Sequence, residues 1–168
     1  MDSFVEQLIV KKTEGKDIFK RFALLCGGIF LFLFSLVVSY LTYMFFFALL
    51  GGGALYLSWY MVQSTFVEYE YIITNNEMDI DKISAKRKRK RLITIKINKT
   101  EEWGEYSEGK GADAAATVQA HDCSYENLWY IVTQHEKYGK VNLLFSPNNS
   151  ILEAVNKGVP YSLRKKLV

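Results

Sequence analysis

Residues Phe22 to Val62 read FALLCGGIFLFLFSLVVSYLTYMFFFALLGGGALYLSWYMV, 41 consecutive positions without a charged side chain. All 21 Lys and Arg and all 18 Asp and Glu lie outside this block, so the mean hydropathy of -0.01 averages two unlike compositions. A water-soluble domain spreads its core residues over several amphipathic elements. About 18 uncharged, apolar residues suffice to cross a bilayer, and the block is predicted to lie in one.

A single helix of this length would run about 61 Å, roughly twice the hydrocarbon thickness. Two spans fit better, Phe22–Leu41 and Met44–Ser64, each about 30 Å long. A turn at the later glycines would leave one helix overlong and the other too short, so the turn is placed near Leu41-Thr42-Tyr43-Met44. Gly27, Gly28, Gly51, Gly52 and Gly53 then fall within spans, where small residues let helix backbones approach closely. An antiparallel hairpin turning near Thr42 sets Ser35 against the Gly51 region and Gly27 against Ser58. Dimerisation through the same face is the alternative use. The first span follows 21 residues that include five basic ones, and no A-x-A site comes after it. It reads as an anchor and not as a cleaved signal peptide.

Orientation follows from basic residues near the span ends. Lys11, Lys12, Lys16, Lys20 and Arg21 precede the first span, Lys82 and Lys86 to Arg91 follow the second, and the turn between has none. Both termini are predicted to be cytoplasmic, in a multi-pass cell-membrane protein. Residues 1–21 form an N-terminal cytoplasmic segment. In it Phe4, Val5, Leu8 and Ile9 fall at helical spacing after a cap at Asp2 or Ser3, with Gly15 as a stop, which suggests an amphipathic helix. Such a helix would lie on the inner leaflet or pack on the soluble domain.

Residues 66–168 suffice for one compact domain rich in strands. Val67, Tyr69, Tyr71 and Ile73 alternate with Glu68, Glu70, Ile72 and Thr74, the pattern of a strand with one buried face. Asn75-Asn76 supplies a hairpin turn tolerant of positive φ, and Met78 and Ile80 alternate with Asp79 and Asp81 on the return. Leu92 to Ile97 alternates again. A loop is expected from Asn98 to about Ala115, then strands over Thr117–Cys123, Leu128–Glu136 and Lys140–Phe145, with Tyr138-Gly139 as a turn. Pro147-Asn148-Asn149-Ser150 opens a helix whose apolar side is Ile151, Leu152 and Val155 and which Gly158 ends. The expected fold is thus a membrane α-helical hairpin plus a β-rich, α+β cytoplasmic domain. That domain is a PH-like barrel or curved antiparallel sheet with a C-terminal helix.

Here the sequence resembles a known family. Glu68-Tyr69-Glu70-Tyr71-Ile72-Ile73-Thr74-Asn75, Asp79-Ile80-Asp81-Lys82-Ile83, Ala85 to Leu92, Leu128-Trp129-Tyr130 and His135-Glu136-Lys137-Tyr138-Gly139 resemble the motifs of an uncharacterised bacterial family. Its members are short, with two spans and a cytosolic domain, and their function is unknown. The arrangement is also similar to bacterial membrane-anchored PH-like domains, a likeness of fold only.

Lys86, Arg87, Lys88, Arg89, Lys90 and Arg91 form the strongest charge feature. If the strand leaving the membrane turns at Asn75-Asn76 and returns by a similar length, this run comes back near the bilayer. About 1 kcal/mol per basic side chain near an anionic surface gives several kcal/mol before screening. The expected partner is the anionic inner leaflet. A specific phosphorylated ligand, an acidic protein or a neighbouring copy are the alternatives. A neighbouring copy would offer Glu101, Glu102, Glu105, Glu108 and Asp113. Nucleic acid is not expected, because the run lacks interleaved aromatics. Arg87, Arg89 and Arg91 share the phase of Ile93, Ile95 and Ile97, so packing at the barrel rim is the other use of the arginines.

No catalytic, cofactor or metal constellation is visible. His121, Asp122 and Cys123 are neighbours, and Asp122 points to the opposite face of a strand. If the strands around Ser124 to Asn127 pair as a hairpin, His121 lies opposite about Tyr130 and far from His135. Cys26 and Cys123 give no zinc spacing and no disulfide framework. The chain is expected to be no enzyme but a membrane-anchored cytoplasmic interaction module. The alternative is an accessory subunit of a larger transport or secretion complex acting through its hairpin. Spans without charge carry no ion path of their own.

Overall fold

The computed structural model describes residues 4–109, 113–124 and 127–166, and the chain divides into two compact units, 13–67 and 1–12 with 68–168. The smaller unit is a pair of antiparallel helices, α1 (Gly15–Thr42) and α2 (Phe46–Gln63). Tyr43 ends α1 in the left-handed region at φ 55°. Hydroxyls serve the carbonyls near the turn: Thr42 donates to Val38 O at 2.8 Å and Ser39 to Met44 O at 3.0 Å. Polar caps thus reverse the chain without Gly or Pro. α1 is long and apolar enough to cross a membrane, with mean hydropathy 2.5 in its most apolar window. α2 carries no charge but does not reach the same mark of length and composition.

The larger unit holds two four-stranded sheets around one core. Sheet one runs β1 (Phe4–Val10), β2 (Val67–Thr74), β3 (Glu77–Ser84), β4 (Lys88–Lys96) in that order. Sheet two is ordered β5-β7-β8-β6, from β5 (Thr100–Glu105), β6 (Ala116–Ala120), β7 (Trp129–His135) and β8 (Gly139–Phe145). Tyr71, Ile73, Met78, Ile80, Ile93 and Ile95 from the first sheet meet Trp103, Ile131, Leu143 and Phe145 from the second. α3 (Asn149–Gly158) closes the core with Ile151 and Val155, and the Asn148 side chain caps it by accepting from Ile151 N at 2.9 Å. A cap of this kind is worth about 1 kcal/mol, so local chemistry sets where the helix starts.

Asn75 and Asn76 both have positive φ, 47° and 69°, the twist a two-residue hairpin needs to join β2 to β3. Three expectations fail. Residues 4–10 form a strand and not a helix; the caps at Asp2 and Ser3 lie outside the described residues. Val5, Gln7 and Ile9 turn inward at period two, and β2 offers an open edge along Phe4↔Thr74 to Val10↔Glu68. Pairing that edge outweighs a short helix, which is marginal in water. The larger unit therefore includes residues 4–10, and a fragment starting at residue 66 would lack one of its strands.

The expected loop after Asn98 contains β5, because Thr100, Trp103 and Gly104 are buried against β7. Residues 110–112 lie outside the described residues. Finally, β6 pairs with β8 in parallel, Ala116↔Val141 to Ala120↔Phe145, and not with β7 as a hairpin. The chain from 121 to 128 thus crosses over, with 125 and 126 of that stretch outside the described residues. His121 therefore does not oppose Tyr130.

Candidate functional site

The basic run straddles the turn from β3 to β4 and the first half of β4. Ser84 pairs with Lys88, and Ala85 and Lys86 between them take φ 54° and 55°. Left-handed backbone costs non-glycine residues roughly 1–2 kcal/mol each, so this turn is strained where the charge is densest. A bulge then changes the phase of β4. Asp81 pairs with Arg91 and Ile80 with Ile93, leaving Leu92 as the extra residue. A bulge of this kind flips the side-chain alternation. Arg89 and Arg91 consequently lie on the face opposite Ile93 and Ile95, not in their phase at the core rim.

On that outer face the two arginines meet acids. The Arg89 guanidinium lies 2.8 Å and 2.6 Å from the two Glu70 oxygens. Arg91 Nε donates to Asp81 Oδ1 at 2.5 Å, and its Nη1 lies 2.7 Å from Asp79 Oδ2. Glu70 and Asp81 are buried at 5% and 3% exposure, and the arginines supply the compensation that buried carboxylates require. Hydrogen bonding to Asp81 holds the Arg91 guanidinium above its ordinary range. Two of the six basic residues are thus structural. Lys86, Arg87, Lys88 and Lys90 are exposed and form no ion pair among the described residues.

Burial raises the Glu70 carboxyl above its usual range, the Glu6 carboxyl across the β1–β2 pair raises it further, and Arg89 opposes both. An acid raised on folding binds more protons folded than unfolded, so its contribution to stability falls as pH climbs from the ordinary glutamate range to the folded pKa. Glu6→Gln is expected to flatten that fall. Denaturant unfolding of the whole protein across this range checks it, and an unchanged slope would refute the coupling.

Of the five glycines, Gly28 and Gly51 stand at the helix contact. A Cβ on Gly51 would lie 2.7 Å from Ser35 Cβ, and one on Gly28 would lie 2.5 Å from Ser58 Cβ. Gly27, Gly52 and Gly53 face away, with nothing within 4 Å, so Gly28 and not Gly27 meets Ser58. One helical position separates Gly27 from its neighbour, about 100° of rotation, which is enough to leave the contact.

Glu101 belongs to β5, where it lies 3.4 Å from Lys140 Nζ and accepts from Gln134. Hydrogen bonds from Gln134 and then Lys140 hold its carboxyl below the usual range. The histidines serve local turns: His121 Nδ1 accepts from Cys123 N and His135 Nδ1 from Lys137 N, each at 3.1 Å. Among the described residues no three His, Cys, Asp or Glu side chains stand close enough to hold a metal.

The turn strain, the bulge at Leu92 and the role of β1 escaped the sequence reading. Gln7, which donates to Ser146 O at 3.2 Å and accepts from Asn148 N at 2.8 Å, was a detectable sign, a polar residue inside an apolar alternation.

No curated protein and no solved structure matches the chain. The family model described as "Bacterial PH-like domain" (DUF6106) matches residues 1–165, and with its sheets and closing helix the chain belongs to this family of bacterial PH-like proteins.

Proposed function

We propose that this protein is a membrane-anchored interaction module. In this reading α1 and α2 cross the bilayer as a two-span hairpin with both termini cytoplasmic. The PH-like unit works on that side, with Lys86, Arg87, Lys88 and Lys90 docking on the anionic inner leaflet.

One observation supports this best: the helices interrupt the sheet between adjacent strands. Val10, where β1 ends, pairs with Glu68 of β2. Paired strands lie about 4.8 Å apart, so the chain leaves for α1 and returns from α2 on one side of any membrane that α1 crosses. An even number of crossings follows, and α2 is the return. The flanking Lys11, Lys12, Lys16, Lys20 and Arg21 favour the cytoplasmic side. β2 and β3 have equal lengths and a two-residue turn, so β3 ends level with the start of β2. The strained basic turn therefore sits at the end of the sheet from which the chain runs to the helices. Four unpaired basic residues contribute at most about 4 kcal/mol near an anionic surface.

Topology reporters inserted at Thr42 and fused after residue 168 are expected on opposite sides of the membrane. Both on one side would overturn the hairpin. For docking, the whole protein is placed in vesicles, and energy transfer from a dye on the PH-like unit to a lipid dye is measured. Transfer should rise with anionic lipid and fall with salt, since screening acts within about 8 Å at physiological ionic strength. Lys86→Gln, Lys88→Gln and Lys90→Gln together should flatten both responses. Equal transfer in neutral and anionic vesicles would remove the docking surface.

A second reading, an accessory subunit of a larger membrane complex, draws on the outward-facing Gly27, Gly52 and Gly53. Such open small-residue positions suit close packing of a further helix.

A further inference from the structure

We propose that the cavity between the C-terminal segment, α3 and the start of β7 binds a small zwitterion. Such a molecule carries an ammonium and a phosphate or carboxylate a few bonds apart. The cavity measures about 640 Å³, within the roughly 300–1,000 Å³ of small-molecule sites. Trp129, Pro147 and Leu152 give it apolar wall, and four charges line it: Lys165 and Lys166 against Glu105 and Glu153.

None of these four forms an ion pair among the described residues. Opposite charges that share one cavity yet stand beyond pairing reach are suited to a molecule that bridges them. A bare anion meets the glutamates and a bare cation meets the lysines, so the site selects against either alone.

The lysine-bearing segment is fixed, not trailing. Trp103 Nε1 donates to Leu163 O at 2.7 Å, and the Asn156 side chain brackets Lys165, accepting from its N at 2.9 Å and donating to its O at 2.8 Å. The Trp103 and Trp129 rings lie 5.3 Å apart, and Lys165 Nζ sits 5.8 Å and 6.0 Å from their centroids, within cation–π range. Gly104 leaves room for that ammonium, because a Cβ there would collide with Lys165 Nζ. The missing side chain at Gly104 thus leaves that ammonium space beside the two rings.

The ligand is either a free metabolite or the headgroup of an aminophospholipid. The test uses the whole protein in detergent micelles with Trp59→Phe, so that fluorescence reports Trp103 and Trp129. Phosphoethanolamine and glycylglycine are titrated against inorganic phosphate and ethylamine. At least one zwitterion should give a saturable change at about tenfold lower concentration than either half-molecule, one contact of about 1.4 kcal/mol. Lys165→Gln with Lys166→Gln, and separately Glu105→Gln with Glu153→Gln, should each weaken it by a similar factor. Competition by micelles doped with aminophospholipid assigns the headgroup, and no competition assigns the free molecule. No saturable response to either zwitterion, equal response to the halves, or binding unchanged in both paired variants would overturn the site.

Discussion

Phe145→Ala is expected to lower the stability of the PH-like unit by about 3–5 kcal/mol, the range for truncating a buried aromatic. Phe145 ends β8, is fully buried, and pairs in register with Trp129 on one side and Ala120 on the other. Its ring meets Tyr71 of the first sheet edge-on, centroids 5.9 Å apart at 76°, so it joins the two sheets. Tyr71 adds a polar tie: its hydroxyl donates to Ala120 O and accepts from Ser146 N at 3.2 Å. Burial pushes the Tyr71 phenol well above its ordinary range, so it stays a neutral donor. Tyr71→Phe should cost about 1–3 kcal/mol by leaving those two backbone groups unpartnered. The double variant should depart from additivity, since the rings touch. Denaturant unfolding followed by tryptophan fluorescence measures all three. A loss below about 1 kcal/mol for Phe145→Ala would contradict a single core shared by both sheets.

Gly51→Leu is expected to disrupt the helix pair, whereas Gly52→Leu should leave it intact. Their neighbouring positions make the contrast sharp. At Gly51 even a Cβ would press on Ser35, whose hydroxyl donates to Phe32 O at 2.7 Å, and would reach 3.4 Å from Phe32 Cα. Ser35 Cβ is tied directly to its backbone and cannot swing aside as the end of a long side chain can, so overpacking should cost about 1–3 kcal/mol or separate the helices. At Gly52 the space is open. Spin labels on cysteines placed at the exposed Lys16 and Met61, near the start of α1 and the end of α2, in a protein lacking Cys26 and Cys123 report the pairing by their separation. The separation should widen strongly with Gly51→Leu only, and an equal change in both variants would refute the packing. Should Gly52→Leu instead dissociate a larger assembly while the separation holds, the subunit reading gains over the module.

Much of this fold was legible because its signals are local. Alternation marked β2, β3 and the second half of β4, Asn75-Asn76 marked a hairpin, and Pro147-Asn148 marked the start of α3. The turn near Thr42 and the placement of Gly51 inside α2 followed from helix length alone. What escaped depends on partners distant in sequence. Residues 4–10 satisfy helical and strand spacing alike, and only the open edge of β2 decides between them. The parallel pairing of β6 with β8 is a crossover that no local pattern announces. Within the basic run, composition presented six equivalent cations. A single extra residue, Leu92, turned two of them towards Glu70, Asp79 and Asp81 and left the others to solvent.

The seam between β1 and β2 also bears on biosynthesis. The ribosome releases β1 first, and its partner strand is made only after both helices. Until then Val5, Gln7 and Ile9 have no sheet to join, and Gln7 cannot reach Ser146 or Asn148. If the helices are two crossings, a chain whose second helix failed to return would strand β1 and β2 in different compartments. The sheet of β2 to β4 would then stand on the far side one strand short, with the β2 edge bare. With two crossings, completion of the PH-like unit would be a readout of correct insertion, and a protease on the far side that attacks an unpaired β2 edge would clear the misinserted chains.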